Sequence, residues 1–292
     1  MQSKKRSFSD IALGFLLLTH PGPVSLFIAT VALFALRATW PRPVWSVILL
    51  LLAAHAAMQF SISMINDYCD RALDAISKPD KPIIRGLVTP REALTAGIVM
   101  IVLMFVLLLP LPPLATVVSL CYLALGQAYN LGLKSTAWSG IVLALMIALI
   151  PLYVFAGAGR TLPLTFWFAV VVMGFLGGVA LNVANSLPDL EGDETGGSRT
   201  LTVVLGLKRS FLVSPLIIVS LIILSGILTL FGFVPAQLLI MLPIWIITAV
   251  GLAVILLFFG PNKPKETRKI YFYLARLTCV VLISGWFVAI QV

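Results

Sequence analysis

Long apolar stretches dominate the chain, and short segments rich in charged residues, Pro and Gly separate them. A helix that crosses the hydrocarbon core of a bilayer needs about 20 mostly apolar residues. Taking the polar and Pro/Gly breaks as helix ends, we predict nine transmembrane helices. They cover residues 22–38, 43–67, 91–110, 113–131, 138–157, 163–188, 209–231, 235–259 and 271–291.

The composition excludes a soluble domain. Hydrophobic residues make up 60% of the 292 residues and charged residues only 11%, with a mean hydropathy of +1.09. Soluble domains are about 45–50% apolar and about 25% charged. Because the three cysteines cannot form a disulfide framework, we expect reduced thiols at Cys69, Cys121 and Cys279. The basic N-terminal start lacks a small-residue cleavage site, so we expect no removed signal peptide.

The distribution of basic residues predicts the orientation. The chain has 20 Lys and Arg against 11 Asp and Glu, a formal charge of +9. If the N-terminus is cytoplasmic, only Arg37, Arg42 and Arg160 fall on the opposite side. This bias is the positive-inside pattern of membrane proteins, so the excess charge requires no nucleic-acid partner. The short connections and the lack of a transit peptide favour a prokaryotic inner membrane.

The acidic residues are also confined to the cytoplasmic side, and most fall in two clusters. One cluster follows the predicted helix 43–67 and the other follows 163–188. Four helices separate the clusters, which suggests that a single domain over residues 1–292 contains two four-helix halves, about 20–134 and 138–260, with a ninth helix at 271–291. We expect the function to lie at these two clusters.

The first cluster places three carboxylates on one helical face. Asp67, Asp70 and Asp74 are spaced by three and four residues, and Asn66 flanks them. Carboxylates this close repel one another and need a cation, for which Mg²⁺ is well suited because it takes oxygen ligands and is often shared with substrate phosphates. The alternative is a solvated helix end whose acids pair with Arg71, Lys78 and Lys81.

The same face continues into the membrane through Ser63, Gln59 and His55. At 1.5 Å per residue, these polar groups reach about three turns below the surface. We expect them to line a cavity, although a buried structural role for His55 is an equally good interpretation.

The second cluster resembles the first in spacing. Asp189 and Asp193 are four residues apart, and Asn185 and Asn182 extend the stripe backwards into the apolar helix, where a hydrated site would satisfy them. Pro188 strains the helix, and the glycines that follow it predict a mobile loop able to close over a ligand. The remaining acids of this cluster, Glu191 and Glu194, are interpreted as solvated.

Two acidic faces at one membrane surface, each able to hold a divalent ion, can clamp a diphosphate. Cations could neutralise the remaining phosphate charge; the candidates are Lys81, Arg85, Lys134 and Arg199. The apolar helices beneath would accept a hydrocarbon tail. A lipid-linked diphosphate is the simplest ligand with both parts.

These residues resemble the motifs of the UbiA superfamily of intramembrane prenyltransferases. The segment NDYCDRALD, residues 66–74, fits the first motif NDxxDxxxD, and DLEGD, residues 189–193, fits the second motif DxxxD. AYNLGLK, with Tyr129 and Lys134, is similar to the segment after the family's fourth helix. KPDKPIIRG resembles the continuation of the first motif, except at Ile84 and Arg85. The resemblance covers essentially the whole chain.

The resemblance implies an all-α fold of nine helices around a central cavity, capped by two cytoplasmic Asp-rich loops. It also implies ionisation of a prenyl diphosphate with Mg²⁺ and transfer of the prenyl group to an aromatic or other lipophilic acceptor. The metal ligands would be Asn66, Asp67, Asp70, Asp74, Asp189 and Asp193. The catalytic residues would be Asp70, Asp74, Asp189, Asp193, Tyr129 and Lys134. The substrate would also contact Asn66, Lys81, Lys134, Asn185 and Arg199.

Two alternatives to prenyl transfer stay open. Many family members carry Arg or Asn early in the first helix, whereas here His20 is the nearest polar residue; this departure agrees with a terpene cyclase of the same superfamily, which needs no acceptor. The second alternative is a cation transporter. It is disfavoured because no acidic residue lies in the middle of a predicted span, where a transported cation would need a counter-charge.

Overall fold

The computed structural model describes residues 6–161 and 164–291. Lys4 and Lys5, two of the basic residues predicted to lie on the cytoplasmic side, are outside the described residues. Residue 163, the predicted start of one helix, is outside them as well. The described chain is helical, with no strand beyond a single isolated β-bridge. Its helices are α1 Phe8–Leu18, α2 Pro21–Thr39, α3 Trp45–Ser77, α4 Pro90–Leu108, α5 Pro113–Asn130, α6 Ser139–Gly157, α7 Leu164–Ser186, α8 Leu190–Thr195, α9 Leu201–Leu230, α10 Leu238–Phe258 and α11 Thr267–Ala289.

Each of the nine predicted helices is present, as α2 to α7 and α9 to α11. Within the described residues, eight helices are long and apolar enough to cross a membrane. The predicted helix 113–131 corresponds to α5, which is not among the eight because polar residues such as Gln127 and Asn130 occupy its last turn. The all-α, multi-pass membrane fold is confirmed. Two short helices, α1 and α8, were not predicted.

Helix α3 is ten residues longer at its C-terminal end than the prediction of 43–67. The prediction ended the helix at its first charged residues, but charged side chains do not interrupt a helix. Because no Gly or Pro occurs between Trp45 and Pro79, the helix continues past them. The first acidic motif therefore lies on the last turns of a helix and not in a capping loop.

Helix α9 begins at Leu201, eight residues before the predicted start at residue 209. Thr200 caps it by accepting a hydrogen bond from the Val203 amide. Gly206, with φ of 74°, breaks the regular helix within this segment. A left-handed φ is accessible to glycine at little cost, so the chain bends at Gly206 and continues as the long membrane-spanning part.

The chain forms two compact units. The first contains residues 1–131 and 152–161, as far as they are described, and the second contains the rest. In the first unit, α1 packs on the loop before α4, and the apolar side chains of this region form a small core. The members of that core are Leu18, Met64, Val88 and Ala93.

Two capping boxes begin helices of the first unit. Ser7 and Asp10 cap α1, and Thr89 and Glu92 cap α4. Arg6 donates two hydrogen bonds to the Glu92 carboxylate, with lengths of 2.6 and 2.8 Å. This pair ties the start of α1 to the start of α4.

In the second unit, α6 and α7 pack unusually closely. A Cβ added at Gly178 would lie 2.4 Å from the Cα of Ala144, and one added at Gly174 would lie 3.1 Å from the Cα of Ala148. Small residues four apart on both helices let the backbones approach, as is common between membrane helices. Helix α11 packs against α10 and α7 in this unit. The division of the sequence into two four-helix halves, about 20–134 and 138–260, stays a prediction.

Candidate functional site

The first acidic motif contains a buried carboxylate with an unusual set of partners. Asp67 is 1% exposed. Its Oδ1 accepts a short hydrogen bond from the Lys81 ammonium and lies 2.9 Å from Nε2 of His20. Its Oδ2 is buried without a hydrogen-bond partner. One oxygen of the carboxylate is therefore held and the other is left unpaired.

The turn after α3 brings Lys81 back to this carboxylate. The amide of Lys81 donates to the Lys78 carbonyl, and the Arg85 amide donates to the Lys81 carbonyl. Lys78 itself lies 3.7 Å from Asp74 in an ion pair one helical turn apart. A cavity of about 460 Å³ adjoins this turn, lined by Leu17, His20, Lys78, Pro79, Asp80, Lys81 and Pro82.

Asn66, the first residue of the motif, is tied to the end of α5. Its amide donates to Oδ1 of Asn130 at 3.1 Å. Asn130 in turn donates to the Ile62 carbonyl and to the Gln127 side chain. Sequence reasoning missed Asn130, although it stands between Tyr129 and Lys134 in the AYNLGLK segment and is itself a polar residue at a helix end.

The three carboxylates of α3 share a face, as predicted, but they do not gather into a metal centre. Asp67 and Asp74 are buried and Asp70 is half-buried. Among the described residues, no group of three or more His, Cys, Asp or Glu side chains is placed to hold an ion. The alternative interpretation was a helix end whose acids pair with Arg71, Lys78 and Lys81. Lys81 pairs with Asp67 and Lys78 with Asp74, whereas Arg71 lies over the Tyr68 ring.

The deeper polar residues Gln59 and His55 are buried against neighbouring helices, which agrees with the structural interpretation of His55. Gln59 is 4% exposed and donates to the Tyr122 hydroxyl at 2.8 Å. His55 is 1% exposed and lies between the rings of Tyr122 and Tyr153. Inside a membrane, polar side chains of this kind join neighbouring helices, and here they join α3 to α5.

The second acidic motif departs from the predicted continuous stripe. Helix α7 ends at Ser186, before Pro188. Asp189 is the N-cap residue of the separate short helix α8, and Asp193 lies within that helix. The residue before a proline is pushed out of the helical conformation, which explains the break. Asn182 is buried with Oδ1 unpaired, whereas Asn185 is exposed. The segment predicted as a mobile loop is thus partly helical.

Within the second unit, three predicted site residues lie on adjoining segments. The Arg199 amide donates to the Ser135 carbonyl at 2.8 Å, which places Arg199 beside the short 3₁₀ turn Leu133–Ser135 that carries Lys134. The Ser198 amide donates to the Asp193 carbonyl at 2.9 Å. The backbone thereby links two basic residues to one acid of the second motif.

Glu191 is exposed, as its interpretation as a solvated residue implies, but it is also ion-paired. Its carboxylate accepts hydrogen bonds of 2.7 and 2.9 Å from Arg268 and lies 3.0 Å from Lys265. The Arg268 guanidinium lowers the pKa of Glu191 to about 2. Arg268 also donates to the Leu187 carbonyl at the end of α7. Sequence reasoning missed this anchor because its partners are 77 residues apart.

The comparison with known proteins decides the family. A sequence profile of the UbiA prenyltransferase family matches residues 25–277. The chain belongs to this family. With the eight apolar helices found among the described residues, this membership makes the chain an integral, multi-pass membrane protein. The profile spans both acidic motifs and the Tyr129–Lys134 segment, in agreement with the resemblance found from the motifs.

Two relatives and one solved structure indicate the range of the family. The digeranylgeranylglyceryl phosphate synthase of Natronomonas pharaonis is 37% identical over 51% of this chain and 54% of its own length, so the match spans about half of that relative. The 4-hydroxybenzoate octaprenyltransferase of Escherichia fergusonii is 26% identical over 71% of this chain and 69% of its own. The structure of an Archaeoglobus fulgidus UbiA homologue bound to DMAPP and Mg²⁺ has a TM-score of 0.64 at 17% identity, covering 92% of this chain and 99% of that one. This likeness shows the shared fold.

Proposed function

We propose that this protein transfers a prenyl group from a prenyl diphosphate to a lipophilic acceptor, with Mg²⁺ as its cofactor. The observation that carries the proposal is the unpaired, buried Oδ2 of Asp67 at the end of a membrane-spanning helix. An isolated buried carboxylate oxygen is costly unless a cation or donor meets it. In a chain of the UbiA family, a metal-bound diphosphate is the ligand that supplies this partner.

The residues of the first motif fit a magnesium ion by their chemistry. Mg²⁺ prefers hard oxygen ligands and tolerates few protein carboxylates when phosphates and waters complete its shell. We assign Asn66, Asp67, Asp70 and Asp74 to this role, and Asp189 and Asp193 to the same role in the second motif. The ion would stabilise negative charge on the departing diphosphate and orient it.

The protein's own cations would bind the diphosphate anion. We assign Lys134 and Arg199 to it, because the backbone bond between Arg199 and Ser135 already brings their segments together. Lys81 is a further candidate beside the first motif, with its side chain 22% exposed. We assign Tyr129 to substrate contact because it lies in the family motif. We assign Asn185 to substrate contact because its side chain is exposed.

The acceptor and the membrane side complete the proposal. The two relatives are named for different products, a digeranylgeranylglyceryl phosphate and an octaprenylated 4-hydroxybenzoate. Since the longer prenyl groups are strongly apolar, we expect the prenyl tail to lie among the membrane helices. We place the N-terminus and both acidic motifs on the cytoplasmic side of a prokaryotic inner membrane, following the distribution of basic residues.

Product identification tests the proposal. The purified protein is reconstituted in lipid and given dimethylallyl, geranyl, farnesyl or geranylgeranyl diphosphate with Mg²⁺. Each donor is offered alone, with 4-hydroxybenzoate, or with a geranylgeranylglyceryl phosphate. We expect a prenylated acceptor by mass spectrometry and release of diphosphate, and neither after chelation with EDTA.

A different product would contradict prenyl transfer. If the donor alone gives a cyclic hydrocarbon or a terpene alcohol, at a rate that no acceptor increases, the protein is a cyclase. Diphosphate release by a Glu194→Gln control should equal that of the wild type, because Glu194 is exposed on α8 and lies outside the DxxxD positions.

A further inference from the structure

His20 adopts a backbone conformation that a residue with a side chain rarely takes. Its φ and ψ are 49° and 60°, in the left-handed region, and among the described residues it is the sole non-glycine with positive φ. Such strain persists where the surrounding structure requires it, and it often accompanies function. His20 is the N-cap residue of α2, but its side chain makes no capping hydrogen bond. Helix capping therefore does not explain the conformation.

The imidazole instead reaches the first acidic motif, 47 residues away. Its Nε2 lies 2.9 Å from Oδ1 of Asp67 and 3.1 Å from the Lys81 ammonium. One ring nitrogen cannot donate to Asp67 and accept from Lys81 at once. Lys81 already donates to Asp67, so we assign the proton to Nε2 as a second donor to that oxygen. Both donors act on Oδ1, and Oδ2 is left unpaired in the interior.

We propose that His20 is a positioning residue for Asp67. By holding Oδ1, it fixes the carboxylate in the orientation that presents Oδ2 to a divalent cation. This inference rests on the proposed function, in which Asp67 is a metal ligand. Groups that orient a metal ligand by hydrogen bonding typically change metal affinity or activity by about 10–100-fold when they are removed.

His20 can do what Lys81 cannot. The lysine ammonium sits on a flexible four-carbon stem, and its charge is attracted to a diphosphate anion. The His20 side chain is short, and its backbone is fixed between α1 and α2. If Lys81 turns toward a bound diphosphate, the imidazole still holds the carboxylate.

Two substitutions separate the ring from the backbone. His20→Gly removes the side chain and suits a positive φ, so it does not add backbone strain. His20→Gln keeps a terminal N–H donor that can reach Asp67. Ser25→Ala is the matched control, because Ser25 lies on the first turns of α2 and its hydroxyl donates only locally, to the Gly22 carbonyl. The unfolding temperature of each variant is recorded alongside.

The first readout is Mn²⁺ binding, followed by electron paramagnetic resonance with inorganic pyrophosphate present and no prenyl donor. The second is the Mg²⁺ concentration that gives half-maximal diphosphate release, together with kcat at saturating Mg²⁺. We expect His20→Gly to weaken Mn²⁺ affinity and to raise the half-maximal Mg²⁺ concentration by about tenfold, with a smaller change in kcat. His20→Gln should stay within about threefold of the wild type, and Ser25→Ala should match it.

The outcomes are decisive for the positioning role. Unchanged Mn²⁺ affinity in His20→Gly would overturn it, as would equal losses in the Gly and Gln variants or a wild type that binds no Mn²⁺ with pyrophosphate. A purely structural role would lower the unfolding temperature or kcat without moving the metal dependence. If His20→Gly weakens Mn²⁺ binding while no donor is turned over by the wild type, the proposed function fails and the positioning role stands.

Discussion

Replacing Gly178 by alanine tests the close packing of α6 against α7. The added Cβ would lie 2.4 Å from the Cα of Ala144, which is about 1 Å closer than van der Waals contact allows. The obstacle is backbone, so a side-chain rotation cannot relieve it and the helices must move apart. Overpacking of this kind costs about 1–3 kcal/mol, more than the roughly 0.5–1 kcal/mol that alanine gains over glycine within a helix.

Gly226→Ala in α9 is the matched control, because nothing lies within 4 Å of its added Cβ. Unfolding is followed by heating the detergent-solubilised proteins and measuring the folded fraction by size-exclusion chromatography. We expect Gly178→Ala to unfold several degrees below the wild type and Gly226→Ala at or above it. If Gly178→Ala is as stable as Gly226→Ala, the close approach of α6 and α7 is refuted.

Three further predictions concern charged side chains. Lys81→Met should destabilise the protein by about 3 kcal/mol, because it leaves the buried Asp67 carboxylate without its main cation; adding Asp67→Asn should recover much of that loss in the same thermal assay. The pKa of Glu191 is lowered to about 2 from its usual 4.5, so the stability it contributes is complete above pH 4.5 and is lost as the pH falls toward 2. At neutral pH, wild type should exceed Glu191→Gln in free energy of unfolding by well under about 1 kcal/mol, because the Glu191 side chain is 47% exposed. The unfolding temperatures of the two proteins should therefore converge as the pH falls. Arg6→Gln removes the bidentate pair with Glu92 and should make the α1 region more susceptible to limited proteolysis, and an unchanged digestion pattern would contradict its anchoring role.

Hydrophobic periodicity was sufficient to predict the long helices, because in a bilayer a run of apolar residues has few alternatives to a spanning helix. Helix α1 was missed because Phe8–Leu18 is too short to span and follows directly on charged residues. What stabilises it includes the bond from Arg6 to Glu92, 86 residues away, and a contact so distant leaves no local pattern.

The acidic motifs were predictable as candidate residues, but their geometry was not. The spacing of Asp67, Asp70 and Asp74 correctly gives a shared face, yet it cannot show that Lys81 and His20 fold back onto Asp67. Similarly, Pro188 was interpreted as a strained position within a continuous helix, whereas the chain ends α7 and starts α8. In both places, contacts made through a turn decide the geometry.

The measurement that bears most directly on the proposed function is diphosphate release from geranylgeranyl diphosphate by wild type, Asp70→Asn and Asp189→Asn in identical lipid. With Mg²⁺ and an acceptor that the enzyme prenylates, we predict that the wild type releases diphosphate and that EDTA abolishes this release. Each variant should lose at least about 100-fold in rate, and its unfolding temperature is recorded to separate a loss of catalysis from a loss of folding. Full turnover in both variants, or turnover that survives removal of Mg²⁺, would contradict a metal-dependent prenyltransferase that uses the two acidic motifs.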